Sequence, residues 1–172
     1  MKQPIAGVAP SQLDEVTTMA VWPTFTGPPF RTLGCLLGRL YSINIGIGPI
    51  LTIGNLFVLL SIPLVLFLFV HTLVPGLCHR YRLTNRRVIV ERKRFSWTAD
   101  WAEEAAVSLD KFDEIDIQVV PGQHWFPAGD LIFRDGKTER LQLLGVSRPE
   151  TFRQTCLKSG QSHVGVKRAL GV

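Results

Sequence analysis

The chemistry open to this chain rests first on its arginines. Arg80, Arg82, Arg86, Arg87, Arg92, Lys93 and Arg94 crowd one short stretch, with Glu91 as the only acid among them. Guanidinium forks at that density suit phosphate or carboxylate, so they point to a lipid headgroup or to acids of the same fold. The acids follow directly: Asp100, Glu103, Glu104, Asp110, Asp113, Glu114 and Asp116, against Lys111. Cross-strand ion pairs and headgroup binding therefore compete for the same arginines. Trp97 and Trp101 stand at i and i+4 in the junction. On a helix they form one side of a docking surface for a protein partner; otherwise they anchor a core or a membrane interface.

Catalysis needs converging groups, and the sequence offers few. There is no Gly-x-Ser-x-Gly elbow, His-Glu-x-x-His, P-loop or dinucleotide fingerprint. Asp113-Glu114-x-Asp116 supplies carboxylates, but adjacent strand residues point to opposite faces, which suits a solvated edge. His124-Trp125-Phe126-Pro127 reads as an aromatic loop that lines a pocket, packs under a sheet or dips into a bilayer. Cys35, Cys78 and Cys156 contain no CxxC pair, so neither a zinc site nor a disulfide framework is expected. The expectation is a protein that binds rather than catalyses, with no cofactor and no metal. Nucleic acid is a poor partner, because no aromatic stacking surface alternates with the basic residues.

The elements that position these residues come from the rest of the chain. It has 172 residues, room for one domain of ordinary size, and a net charge of +5. Charged residues make up 19%, against ~25% in soluble domains, which excludes a long disordered chain. No Asp, Glu, Lys or Arg occurs between Arg39 and Arg80. Within that gap residues 50–74 form a continuous apolar run, about 37 Å long as a helix, against about 30 Å for a bilayer core. A transmembrane helix over about 48–75 is expected, kinked at Pro63. Gly54, Asn55 and Ser61 could face another helix of a membrane complex. No cleavable signal peptide is expected.

Residues 30–42 differ. At 100° per residue, Phe30, Leu33, Leu36, Leu37, Leu40 and Tyr41 share one side, and Arg31, Thr32, Cys35, Arg39 and Ser42 the other. That predicts an interfacial helix lying in the bilayer surface, since Arg39 in a full crossing costs ~3 kcal/mol. The rival is a two-span hairpin turning at Gly46-Ile47-Gly48-Pro49. The basic flank after the apolar run assigns the C-terminal part to the cytoplasm, and a single crossing then leaves the N-terminal tail outside.

After Arg80 the period changes to that of strands. Tyr81 to Thr84, Val88 to Arg94, Ile115 to Val119, Leu131 to Arg134 and Arg140 to Leu143 are candidates, and Asp135-Gly136 is a tight-turn signal. Ser147-Arg148-Pro149-Glu150 matches a capping box for a closing helix that ends at Gly160.

Two stretches carry a resemblance. One is Tyr81-Arg82-Leu83-Thr84-Asn85-Arg86-Arg87 directly after the apolar run. The other is Gly129-Asp130-Leu131-Ile132-Phe133 followed by Leu143-Leu144-Gly145-Val146 and Arg148-Pro149-Glu150-Thr151-Phe152-Arg153. Together they resemble the bacterial pleckstrin-homology-like (PH-like) domains attached to membrane helices. The resemblance covers about residues 80–158. It implies two near-orthogonal antiparallel sheets of seven strands in a barrel with a C-terminal capping helix, and carries over no catalytic residues. The expected organisation is a flexible tail (1–29), a membrane region (30–77), a PH-like domain (78–160) and a flexible basic tail (161–172). The expected function is a membrane-tethered binding or scaffold module of the bacterial inner membrane. It engages a protein partner or membrane complex at the cytoplasmic face, or reads anionic lipid through Arg80, Arg82, Arg86, Arg87, Arg92 and Lys93.

Overall fold

The structure, a computed structural model, describes residues 15–47, 51–72, 76–94 and 100–170. Alternating apolar side chains build two antiparallel sheets. β1 (Thr17–Val21), β4 (His79–Thr84), β5 (Arg87–Lys93) and β6 (Trp101–Ser108) form the first, in the order β1-β4-β5-β6. β7 (Glu114–Gln118), β8 (Ala128–Asp135) and β9 (Thr138–Ser147) form the second. A short ribbon pairs β2 (Gly46–Ile47) with β3 (Leu51–Thr52). Three helices complete the described chain: α1 (Arg31–Tyr41), α2 (Ile53–Thr72) and α3 (Pro149–Leu170).

The seven strands of the two sheets enclose one core. Leu83 and Val88 of the first sheet meet Leu131, Phe133, Leu143 and Val146 of the second, with Phe152 and Cys156 of α3 closing one end. Phe152 is fully buried. A ring of that size carries about 3–5 kcal/mol of stability against truncation. The buried Tyr81 hydroxyl ties the sheets together: it donates to Leu144 O (2.8 Å) and accepts from Leu144 N–H. The sheets are not closed into a single barrel.

The five expected strands form, as do their turns. The fully buried Thr84 hydroxyl accepts from the Arg87 N–H (2.9 Å) and fixes the first turn. Gly136 takes φ +59° at the second, a conformation side chains disfavour, and its N–H donates to the Asp113 carboxylate (3.1 Å). Asp116 pairs with Arg134 (2.7 Å), so of the acidic triplet Asp116 is ion-paired at the edge of the second sheet and Asp113 holds the turn.

Four expectations change. The end of the N-terminal tail is not free: β1 pairs with β4 from Thr17↔Thr84 to Val21↔Tyr81, and Glu15 binds Arg87. Thr24 N–H then donates to Gly145 O (2.8 Å), stitching the same segment to the second sheet. Residues 15–29 thus belong to the same folded body as residues 78–94 and 100–160, which is at odds with an N-terminal tail on the far side of a membrane. Secondly, the closing helix begins at Pro149 and the capping box does not form. Ser147 is still paired in β9 with Ala128, and the residue before a proline is kept out of the helical region. Thirdly, α3 continues through Gly160 to Leu170. A mid-helix glycine costs only about 1 kcal/mol, and Lys167 reaches Asp110 (2.6 Å) to hold the added turns.

The fourth change concerns α1. It forms as expected, but its buried face (Gly34, Leu37, Gly38 and Tyr41) lies between the apolar and polar sides, so that part of the polar side also contacts the sheets. Arg31 bonds Asp130 (2.6 Å), Arg39 donates to Pro121 O (3.3 Å), and the Ser42 hydroxyl meets His124 Nε2 (3.0 Å). Gly34 and Gly38 on that side allow the close approach. A Cβ at Gly38 would lie 2.1 Å from Gly122 O. The opposite side leaves Leu36 half exposed.

Candidate functional site

Most of the expected contact residues are spent within the first sheet. Arg80 lies directly across from Glu91 in the β4–β5 register and donates to its Oε2 (2.5 and 2.9 Å). Arg82 takes Oε1 (2.6 Å). Glu91 is buried, and two guanidinium groups neutralise it. Arg87 bridges Glu15 and Glu103, and Arg92 pairs with Glu104 (2.5 Å). The hydrogen bond from Arg87 holds the Glu15 carboxyl below its ordinary value, against a smaller opposing effect of burial. Arg86 sits in the β4–β5 turn, half buried, and Lys93 is half buried opposite Trp101. The arginines therefore staple β4, β5 and β6 together.

Trp97 lies outside the described residues. Trp101 opens β6, so the two tryptophans do not share a helix face. Its ring stands under the Arg80 guanidinium (4.1 Å) and meets Trp22 edge-on (5.5 Å between centroids). Trp22 is half exposed and had no periodic signal around it.

The second feature is α2. Its 20 residues measure about 30 Å, and it is long and apolar enough to cross a membrane. It runs through Pro63 without a break. Burial along it is one-sided. Gly54, Val58, Ser61, Val65 and Leu68 recur at helical spacing and are buried or half buried, whereas Leu56, Leu60, Leu64, Phe67 and Val70 on the other side are exposed. Leu60 is 73% exposed.

The covered side rests on α1 and the aromatic loop. Tyr41 and Ser61 share a hydrogen bond between their hydroxyls, and Gly54 N–H donates to Ile43 O (3.0 Å). Tyr41 packs edge-on against Trp125 (4.7 Å), and Phe25 against Phe126 (6.5 Å). The His124–Pro127 loop is thus part of the seat of α2. Of the expected helix-facing residues, Ser61 and Gly54 face the protein's own α1, and Asn55 is exposed.

Among the described residues no group of three or more His, Cys, Asp and Glu could hold a metal ion. The two buried carboxylates among the described residues, Glu91 and Asp130, are each held by arginine, and Asp130 also accepts from Gln123 (2.7 Å) and Gly145 N–H (2.8 Å). Desolvation pushes the Cys156 thiol up to about 12, keeping it a neutral core side chain. Comparisons with protein-family models, curated proteins and solved structures returned no match.

Proposed function

We propose that the chain is a membrane-surface module in which α2 lies along the bilayer plane and the two-sheet body stands on it in the cytoplasm. One observation carries this reading. α2 is seated lengthwise on a body to which the chain on both sides of it belongs, while its other side exposes a continuous apolar face. A lone helix so hydrophobic all round reads as a span. With the body attached the combination becomes amphipathic, which favours an in-plane position. Trp22 and Trp125, both partly exposed beside α2, suit the bilayer interface.

In this reading the body is a PH-like scaffold that holds a protein partner or a membrane complex at the bilayer surface, without catalysis. Reading of anionic headgroups by the basic flank draws little support from Arg80, Arg82, Arg87 and Arg92, whose ion-pair partners are acids of the same fold. The test is depth measurement by spin labels at positions 56, 60 and 67, which share the outer face of α2. An in-plane helix gives three equal depths. A gradient from one surface towards the bilayer centre would contradict the proposal.

A further inference from the structure

We infer that the seam beneath α2 takes the hydrocarbon chain of a bilayer lipid. A cavity of about 380 Å³ opens between Phe69 of α2, the strap carrying Trp22, Phe25 and Phe30, and Leu77 at the start of the returning chain. A second, of about 330 Å³, lies further along α2 between Tyr41, Val58 and Trp125. Phe25, Phe69 and Phe126 wall both. Close-packed interiors leave few voids larger than a water molecule, whereas about 300–1,000 Å³ is the size of a ligand site.

The walls choose the ligand. In the larger cavity the polar side chains are few, and two of them are engaged: Thr24 with Thr26 and Gly145 O, and His79 Nδ1 with Leu77 O. No Asp, Glu, Lys or Arg lines either cavity among the described residues. Such a lining recognises a long apolar chain and little else. Its source follows from Phe69, which lies at the edge of the covered side of α2, half exposed, and also forms the cavity wall. A lipid tail can enter sideways without exposing its methylenes to water.

This inference rests on the in-plane reading of α2, and one experiment separates the two. The full chain is reconstituted in phosphatidylcholine vesicles in which a fraction of the lipid carries a diazirine at the end of one acyl chain. After illumination the adducts are mapped by peptide mass spectrometry. The expected result is adducts on Phe25, Leu77 and Cys78 as well as on the outer face of α2. Adducts confined to Leu56, Leu60 and Phe67 would overturn the lipid site and leave the anchoring intact. Absence of adducts from α2 would overturn both. Leu77→Trp, which fills the larger cavity, should cut the adducts on Phe25 and Cys78 about tenfold and leave those on α2 unchanged. Undiminished labelling at Phe25 and Cys78 in that variant also overturns the site.

Discussion

Val21 precedes the apolar helix and Tyr81 follows it, yet the two sit opposite each other in one antiparallel pair. This register fixes the geometry of the protein. A chain that crosses a bilayer once leaves its two flanks on opposite sides, and here both flanks share a sheet and a core.

The buried carboxylate of Asp130 is what clamps α1, and with it the seat of α2, to the second sheet. Arg31, Gln123 and Gly145 N–H all converge on it, and the bond to Asp130 raises the Arg31 pKa. Asp130→Ala leaves these donors without an acceptor. The expected cost is about 3 kcal/mol, measured as a shift in the denaturation midpoint. Alkylation of the half-buried Cys35 on α1 should accelerate at the same time. An unchanged midpoint and unchanged alkylation would remove Asp130 from this role.

Trp101 is expected to act within the fold. Its ring stacks under Arg80 and against Trp22, so Trp101→Ala should destabilise by about 1–2 kcal/mol. Because Trp22 shares the contact, a double-mutant cycle of Trp22→Ala and Trp101→Ala should show coupling of about 1 kcal/mol. Strict additivity would separate the two rings, and loss of a bound partner at unchanged stability would restore Trp101 as a docking residue.

The added turns of α3 should be sensitive to acid. The hydrogen bond from Lys167, opposed by some burial, holds the Asp110 carboxyl below its ordinary value of 3.8. A carboxyl lowered in the folded state contributes stability above its ordinary value and loses it as pH falls through the lowered one. Amide protection of residues 161–170 should therefore be flat from about pH 7 to 5 and fall below about pH 4. Lys167→Ala should remove that dependence, as read by hydrogen exchange.

What the sequence revealed, and what it hid, follows from where each signal resides. Strands such as Ile115-Asp116-Ile117 alternate because one face meets the core and the other meets water, so their pattern is local and readable. The two sides of α2 are not readable this way, because the covered side (Val58, Val65, Leu68) and the exposed side (Leu56, Leu60, Phe67) are both largely apolar. One polar contact of α1 was hidden for a related reason. Arg31 looks solvent-facing until Asp130, 99 residues away in sequence, neutralises it. β1 has four residues of low or mixed polarity beside Val21 and gains its structure from the free edge of β4. Most of the candidate arginines were legible as ion-pair partners, since Glu91, Glu103 and Glu104 follow them in sequence, but the apolar seat under α2 joins residues from four separate segments and left no local trace.

The central claim is that both flanks of α2 lie on one side of the bilayer. It is tested by placing single cysteines at Thr18 and Ser162, both exposed, in a chain whose native cysteines are replaced by alanine. Sealed right-side-out and inverted membrane vesicles are then treated with a membrane-impermeant maleimide. The account predicts that both positions label in the inverted vesicles and that both are protected in the right-side-out ones. Labelling of Thr18→Cys in one preparation and Ser162→Cys only in the other would contradict it.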